Sequence, residues 1–180
     1  MTSDLMRSGW SSRNRPNGFS LVECLVVVAL LGILATLAIP SSSAVQRRLE
    51  LDSGLRLLRV GLDRGRMAAE RDRQPCALRL SASGWQPPLD GELPACRGGV
   101  TSLAELGASA LKLRSNLPDA VRFSSNGLVL DGGLVVLSHP SHAQALCLVI
   151  GLPLGISRTG VYSGDSSGSL SSALCQPSDV

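Results

Sequence analysis

Between Phe19 and Ile39 lie 21 residues of which Glu23 is the only charged one. A run of about 18 or more apolar residues is long enough to cross a bilayer as a helix. A carboxylate inside such a segment costs about 2.5–3.5 kcal/mol at the helix centre, so it marks function by default. Glu23 stands close to the N-terminal end, four residues after Phe19. A cut between Gly18 and Phe19 would leave an α-amine one helical turn away. That cation would pair with Glu23 of its own chain or with Glu23 of a neighbouring subunit. In the second case a buried, unpaired charge becomes the penalty for wrong axial register.

The stretch Gly18-Phe19-Ser20-Leu21-Val22-Glu23 resembles the prepilin peptidase recognition site of type IV pilins and type II secretion pseudopilins. The resemblance implies that the leader is removed after Gly18, that the new N-terminal residue Phe19 is N-methylated, and that Glu23 guides assembly into a filament. Pro40 stands where many pilins bend the helix. The competing readings are a plain membrane anchor in which Glu23 is incidental, and an ordinary signal peptide with a small-residue cleavage site at Ser42-Ser43-Ala44. The signal peptide fits less well, because its apolar core is about 7–15 residues long.

The 180 residues carry a formal charge of +3, which falls to +1 without residues 1–18. The basic balance therefore belongs mostly to the leader and gives little support for a nucleic-acid partner. Arginines flank the apolar run on both sides, at 7, 13 and 15 and again at 47, 48, 56 and 59. The positive-inside rule thus leaves orientation open, and the cleavage motif implies a cytoplasmic leader with an exported C-terminal part. Cys24 reads as a small packing residue within the span. The other cysteines, Cys76, Cys96, Cys147 and Cys175, are even in number and allow three pairings. Sequence order favours Cys76–Cys96 and Cys147–Cys175, each contributing about 2–4 kcal/mol. A metal site is the rival use, but no C-x-x-C pair is present.

Four regions follow: a polar leader at 1–18, a transmembrane and assembly helix at 19–39, its amphipathic continuation at 40–74, and an exported β-rich domain at 75–180. Leu51, Leu55, Leu58 and Leu62 recur at helical spacing and define one face. Asp52–Arg56 and Arg59–Asp63 are spaced for pairs across a turn. One helix is expected from about Phe19 to about Asp72, bent near Pro40. Gly54, Gly61 and Gly65 form a stripe beside the leucines. It suits close packing of strands on the helix, or close approach of another subunit. After Pro75 come short β-like runs at 77–80, 111–114, 121–123, 128–130, 134–137, 145–150 and 155–162. Asn126-Gly127 is a strong hairpin signal. Residues 163–180 are rich in Ser and Gly, and are expected to be irregular and held only by Cys175. The fold class is α+β, a long N-terminal helix packed on an antiparallel sheet.

That order, with Val121-Arg122-Phe123-Ser124-Ser125-Asn126-Gly127 and the Gly155-Ile156-Ser157-Arg158 strand entry, resembles the GspH/FimT-type minor pilins and pseudopilins. The resemblance implies a pilin-like structural subunit of a type IV pilus or of a type II secretion pseudopilus. Some members bind DNA through paired arginines near the C-terminus, which gives the alternative of a DNA receptor for natural transformation. Here Arg158 stands alone in that region, so nucleic acid is not the expected partner. The expected partners are the prepilin peptidase, other pilin or pseudopilin subunits, the inner membrane and a possible secretion cargo. The expected location is a single-pass anchor in the inner membrane with the C-terminal domain outside it, then the pilus or pseudopilus.

No catalytic residue, cofactor or metal is expected. Gly164-Asp165-Ser166-Ser167-Gly168 fits the nucleophile-elbow pattern, but no histidine follows it to act as base. His139 and His142, with Cys147 nearby, have a spacing compatible with zinc, yet Pro140 breaks any helix that would align the two rings. The arginines at 64, 66, 71, 73 and 79 alternate with Asp63, Glu70 and Asp72 and read as a solvated, salt-bridged helix end. Aromatic residues that stack on bases are nearly lacking.

Overall fold

The computed structural model describes residues 19–89, 91–106, 110–165 and 168–177, with the side chains of 36–42 and 106 outside the described part. The leader, Gly18 included, lies outside it as well. The chain divides after Pro40 into two compact units, Met1–Pro40 and Ser41–Val180.

Helix α1 runs Leu21–Asp72 and crosses that division. Its start and stop match the expectation within two residues. The stop is a Schellman arrangement: Arg73 N–H donates to Glu70 O at 3.3 Å, and Gln74 N–H donates to Ala69 O at 3.2 Å. Arg73 takes the left-handed turn at φ 51° that this motif demands. Pro75 follows, where the chain can no longer be helical. The bend expected at Pro40 falls among the side chains outside the described part.

In the second unit, α1 is followed by β1 Cys76–Ser81, β2 Gly84–Gln86, a 3₁₀ turn at Leu103–Leu106, β3 Lys112–Ser115, β4 Val121–Phe123, β5 Gly133–Ser138, β6 Ala145–Ile150, β7 Ser157–Tyr162, a 3₁₀ turn at Ser172–Leu174 and β8 Cys175–Gln176. These form two antiparallel sheets, ordered β2-β1-β4 and β3-β5-β6-β7-β8. The class is α+β, with the helix packed on antiparallel sheets.

The expected leucine face carries the core. Leu51, Leu55, Leu58 and Leu62 are buried with Leu78, Trp85, Val121, Phe123, Leu137 and Leu148. Strand β5 is buried on both faces, so Leu134-Val135-Val136-Leu137 reads as an unbroken apolar run rather than an alternating one. Leu134 and Val136 join a second cluster with Cys147, Tyr162 and Cys175.

The glycine stripe packs within the chain. A Cβ on Gly54 would meet Leu111 and Leu137, each at 2.9 Å. One on Gly65 would meet Leu78 at 2.9 Å and Phe123 at 3.2 Å, and one on Gly61 would strike the Trp85 ring. That ring is fully buried, and its indole N–H donates to the helix carbonyl of Leu58 at 2.7 Å. A bare helix surface at 61 is what lets the indole come close enough to reach that oxygen.

Both expected disulfides are present, Cys76–Cys96 and Cys147–Cys175. Three sequence expectations need correction. Residues 128–130 form no strand, only a bridge between Phe123 and Val129. The bridge is flanked by two ladder bonds, Ser124 N–H to Leu128 O at 2.9 Å and Leu130 N–H to Arg122 O at 3.0 Å, and pairing stops there because Arg122 N–H donates to the Asp131 carboxylate at 3.0 Å where a strand carbonyl would otherwise stand. The segment after 163 is not merely irregular. Cys175 and Gln176 add a strand beside Tyr162 and Val161, and Gly160, lacking a Cβ, makes room for the Gln176 carbonyl. Finally, Asp52–Arg56 and Arg59–Asp63 are not among the ion pairs of the described residues.

Replacing Gly61 with Ala tests the helix–indole contact. Helix propensity alone favours Ala by about 1 kcal/mol, whereas forced overpacking costs about 1–3 kcal/mol. Chemical denaturation is expected to show a net loss of stability, and a gain would mean that the Trp85 ring moves aside freely.

Candidate functional site

The N-terminal motif is placed at the start of α1. Ser20 caps the helix: its hydroxyl accepts from Glu23 N–H at 3.2 Å, and its carbonyl accepts from Cys24 N–H at 3.1 Å. Ser20-Leu21-Val22-Glu23 therefore contains the Ser-x-x-Glu pattern of a helix N-terminus, a signal the sequence reading passed over. Glu23 stands in the first turn, where the helix dipole favours an anion. Phe19 is 80% exposed just ahead of the cap.

Between Leu21 and Leu34 the large apolar side chains are all exposed, among them Val22, Leu25, Val28, Leu31 and Leu34. They face every direction around the helix, which distinguishes this stretch from the one-sided leucine face at 51–62. Among the described residues no helix is long and apolar enough to cross a membrane. The described part of the apolar run, 21–35, is shorter than the roughly 20 residues that a span needs. The remainder of the run to Ile39 lies where side chains are outside the described part.

In the second unit, the two segments that carry the branch resemblance meet on one arginine. Ser124 and Gly127 close the turn, with Ser124 N–H donating to Leu128 O and Gly127 N–H to Ser124 O, both at 2.9 Å. Gly127 has φ +72°, the left-handed conformation that favours glycine. Arg66 of α1 donates from Nε to Gly127 O at 3.2 Å. A Cβ on Gly155, whose φ is +63°, would strike Val129 and meet Arg66 Cδ at 3.1 Å. Arg66 thus ties the helix to both segments. Within the expected arginine cluster, Arg71 pairs with Asp72 at 3.1 Å.

Arg122 and Asp131 clamp the base of the same turn. Nε and a terminal guanidinium nitrogen each lie 2.8 Å from a carboxylate oxygen. The hydrogen bonds from Arg122 hold the Asp131 carboxyl below the usual carboxylate range, and the same bonds raise the Arg122 guanidinium. Arg158 donates to Ser172 O at 3.3 Å, so its guanidinium helps hold the C-terminal segment.

The remaining candidates do not assemble into a reactive site. His139 Nδ1 accepts from Ser141 N–H at 3.1 Å, and its Nε2 lies 3.8 Å from Glu50. Cys147 is bonded to Cys175, which removes the thiolate from the rival zinc reading. Among the described residues no group of three or more His, Cys, Asp and Glu side chains is placed to hold a metal. Ser166 and Ser167 lie outside the described residues. His139 and His142 border an open groove of about 440 Å³ with Lys112, Arg114 and Asp165.

Comparison with known proteins bears on the N-terminal motif first. The pattern of the family described as the prokaryotic N-terminal methylation motif matches residues 13–39. Type II secretion system protein H of Aeromonas hydrophila is 32% identical over 74 residues, which cover 41% of this chain and 40% of that protein. The chain therefore matches well under half the length of this relative. No solved structure matches the chain.

The Asp131 ion pair predicts an acid-side loss of stability. A carboxyl whose folded pKa lies below its unfolded value, about 3.9, contributes stability above that value and loses it as pH falls through the folded pKa. Asp131→Asn is expected to lower the melting temperature at neutral pH and to flatten its fall in acid. Parallel melting curves for variant and parent across the acid range would refute the clamp. Together, the methylation motif at the start of α1 and the likeness to protein H place the resemblance of this chain in the type IV pilin and type II secretion pseudopilin family, on its GspH/FimT-type side.

Proposed function

We propose that this chain is a minor pilin or pseudopilin, a structural and non-enzymatic subunit. In this reading prepilin peptidase cuts after Gly18, Phe19 is methylated, and the segment 19–39 anchors the precursor in the inner membrane. The helix then carries the subunit into a type IV pilus or a type II secretion pseudopilus. Glu23 neutralises the Phe19 amine of an adjacent subunit. The disulfide-bonded domain faces the periplasm or exterior and meets other minor subunits or secretion cargo.

The observation that carries this reading is the match of the methylation motif over residues 13–39, with Glu23 falling in the first turn of a capped helix. A first turn is the position from which a carboxylate reaches a new amine at Phe19. The all-round exposure of the apolar side chains from Leu21 to Leu34 supports a role in which lipid and other helices cover them in turn. The two disulfides support an oxidising compartment for the second unit. The likeness to a type II secretion protein supports the secretion branch over the pilus branch.

Mass analysis of the N-terminal peptide from the native producer tests the proposal. The expected peptide begins at Phe19 and is one methyl group heavier than the unmodified sequence. A peptide beginning near Val45 would instead indicate an ordinary secreted protein.

A further inference from the structure

The two disulfides hold different things. Cys76 and Cys96 lie in the cluster that packs on α1, and Cys76 Sγ sits 3.8 Å from the helix carbonyl oxygen of Gly65. Cys147 and Cys175 lie in the second cluster with Leu134, Val136 and Tyr162. Successive strand residues point to opposite faces. This cluster therefore occupies the face of the large sheet turned away from Val135, Leu137 and the leucines of α1.

Residues 168–177 lie against that outer face. Leu170 packs on the cluster, and Ser171 N–H donates to Tyr162 Oη at 3.4 Å. Arg114 donates to Gly168 O at 2.7 Å, and Arg158 to Ser172 O at 3.3 Å. Ser163 N–H donates to Leu174 O at 3.0 Å. Strand β8 itself adds the pairs Val161–Gln176 and Tyr162–Cys175. Yet of these ten residues only Cys175 is buried, and Leu170 is half-buried. Hydrogen bonds at exposed positions are traded for bonds to water at small net cost. The one fully buried side chain is thus also the one with a covalent tie.

That tie reaches past a strand. Cys147 is on β6, and β7 stands between β6 and β8, so the bridge clamps β8 to the sheet across β7. The two cysteines are 28 residues apart, and the chain between them regains loop entropy when the bridge is absent. Release of the segment bares the backbone of Val161 and Tyr162 on the β8 side and the apolar cluster beneath it. An open edge beside an apolar face invites pairing with other chains.

We propose that Cys147–Cys175 is a redox latch. Its formation seats residues 168–177 and closes the β7 edge at Val161 and Tyr162. The dithiol form leaves that edge and the outer cluster open while α1 and the central strands stay folded. The oxidant is a disulfide donor. The Cys175 thiolate attacks one donor sulfur, which breaks the donor bond and gives a mixed disulfide. The Cys147 thiolate then attacks Cys175 Sγ, forms the Cys147–Cys175 bond and displaces the donor sulfur. Two electrons leave with the reduced donor, and the two thiol protons reach its sulfurs through water. Both cysteines are buried once the segment is seated, so a thiol reaches the bridge only after the segment opens. The latch lies wholly in the second unit and is independent of how the N-terminus is processed.

Hydrogen exchange on the full-length protein in detergent micelles tests the latch at Ser163 N–H, whose acceptor is Leu174 O. Cys147→Ala with Cys175→Ala is expected to speed that exchange by at least about tenfold, with amides of the β5–β6 pair within about threefold of the parent rate. In the parent, dithiothreitol is expected to produce the same fast exchange at Ser163, and oxidised glutathione to restore the slow rate. Unchanged exchange at Ser163 in the variant would overturn the proposal, because the segment would then be seated without the bridge. Loss of protection throughout β5–β6 in the variant would also overturn it, because the bridge would then staple the whole domain. So would fast exchange in the reduced parent that oxidised glutathione does not reverse.

Discussion

A carboxylate in the first turn of a helix whose neighbouring side chains are apolar needs a cation, and the chain holds none within that run. Glu23 is the only charge from Phe19 to Ile39. The helix dipole and the Ser20 cap make its position tolerable while the helix end is wet. Neither is adequate once the segment is surrounded by lipid or by other apolar helices, where an unpaired charge is strongly unfavourable. In the proposed reading that cation is an amine created by cutting the chain just before the helix. The motif match, the cap and the exposure pattern support that reading.

The second unit meets a different requirement, which is to bring two sheets onto one helix. The leucine face supplies the apolar area, and the glycine stripe beside it lets Trp85, Leu78 and Phe123 approach the helix backbone. Arg66 then fastens the Gly127 turn and the Gly155 loop to the same helix. These are packing roles, so the motif residues at 121–127 and 155–158 act as architecture rather than as chemistry.

Much of this was readable beforehand because its causes are local. Leucine spacing fixes a buried face whatever the tertiary context, and Arg73-Gln74-Pro75 ends the helix through its own backbone bonding. The disulfide partners followed from sequence order. Other features depend on residues far apart in the chain. Residues 128–130 alternate like a strand and bridge to β4, but the Asp131 carboxylate takes the Arg122 N–H that a longer ladder would have used. The last strand is two residues long, below the length at which periodicity carries a signal, and it forms because Cys147 and Gly160 provide its seat. Arg66 looked like one of several solvated arginines because nothing near it in sequence names Gly127, 61 residues away. The Ser20–Glu23 cap was legible and was masked by the more conspicuous cleavage pattern across the same residues.

The central claim, that Glu23 acts by pairing with the amine of a cut helix, is tested most directly by measuring incorporation of a Glu23→Leu variant into the assembled fibre alongside the parent protein. The account predicts that the variant is still cleaved and inserted but is depleted from the fibre by about tenfold or more, as expected for loss of a buried charge pair. Incorporation equal to that of the parent would contradict it.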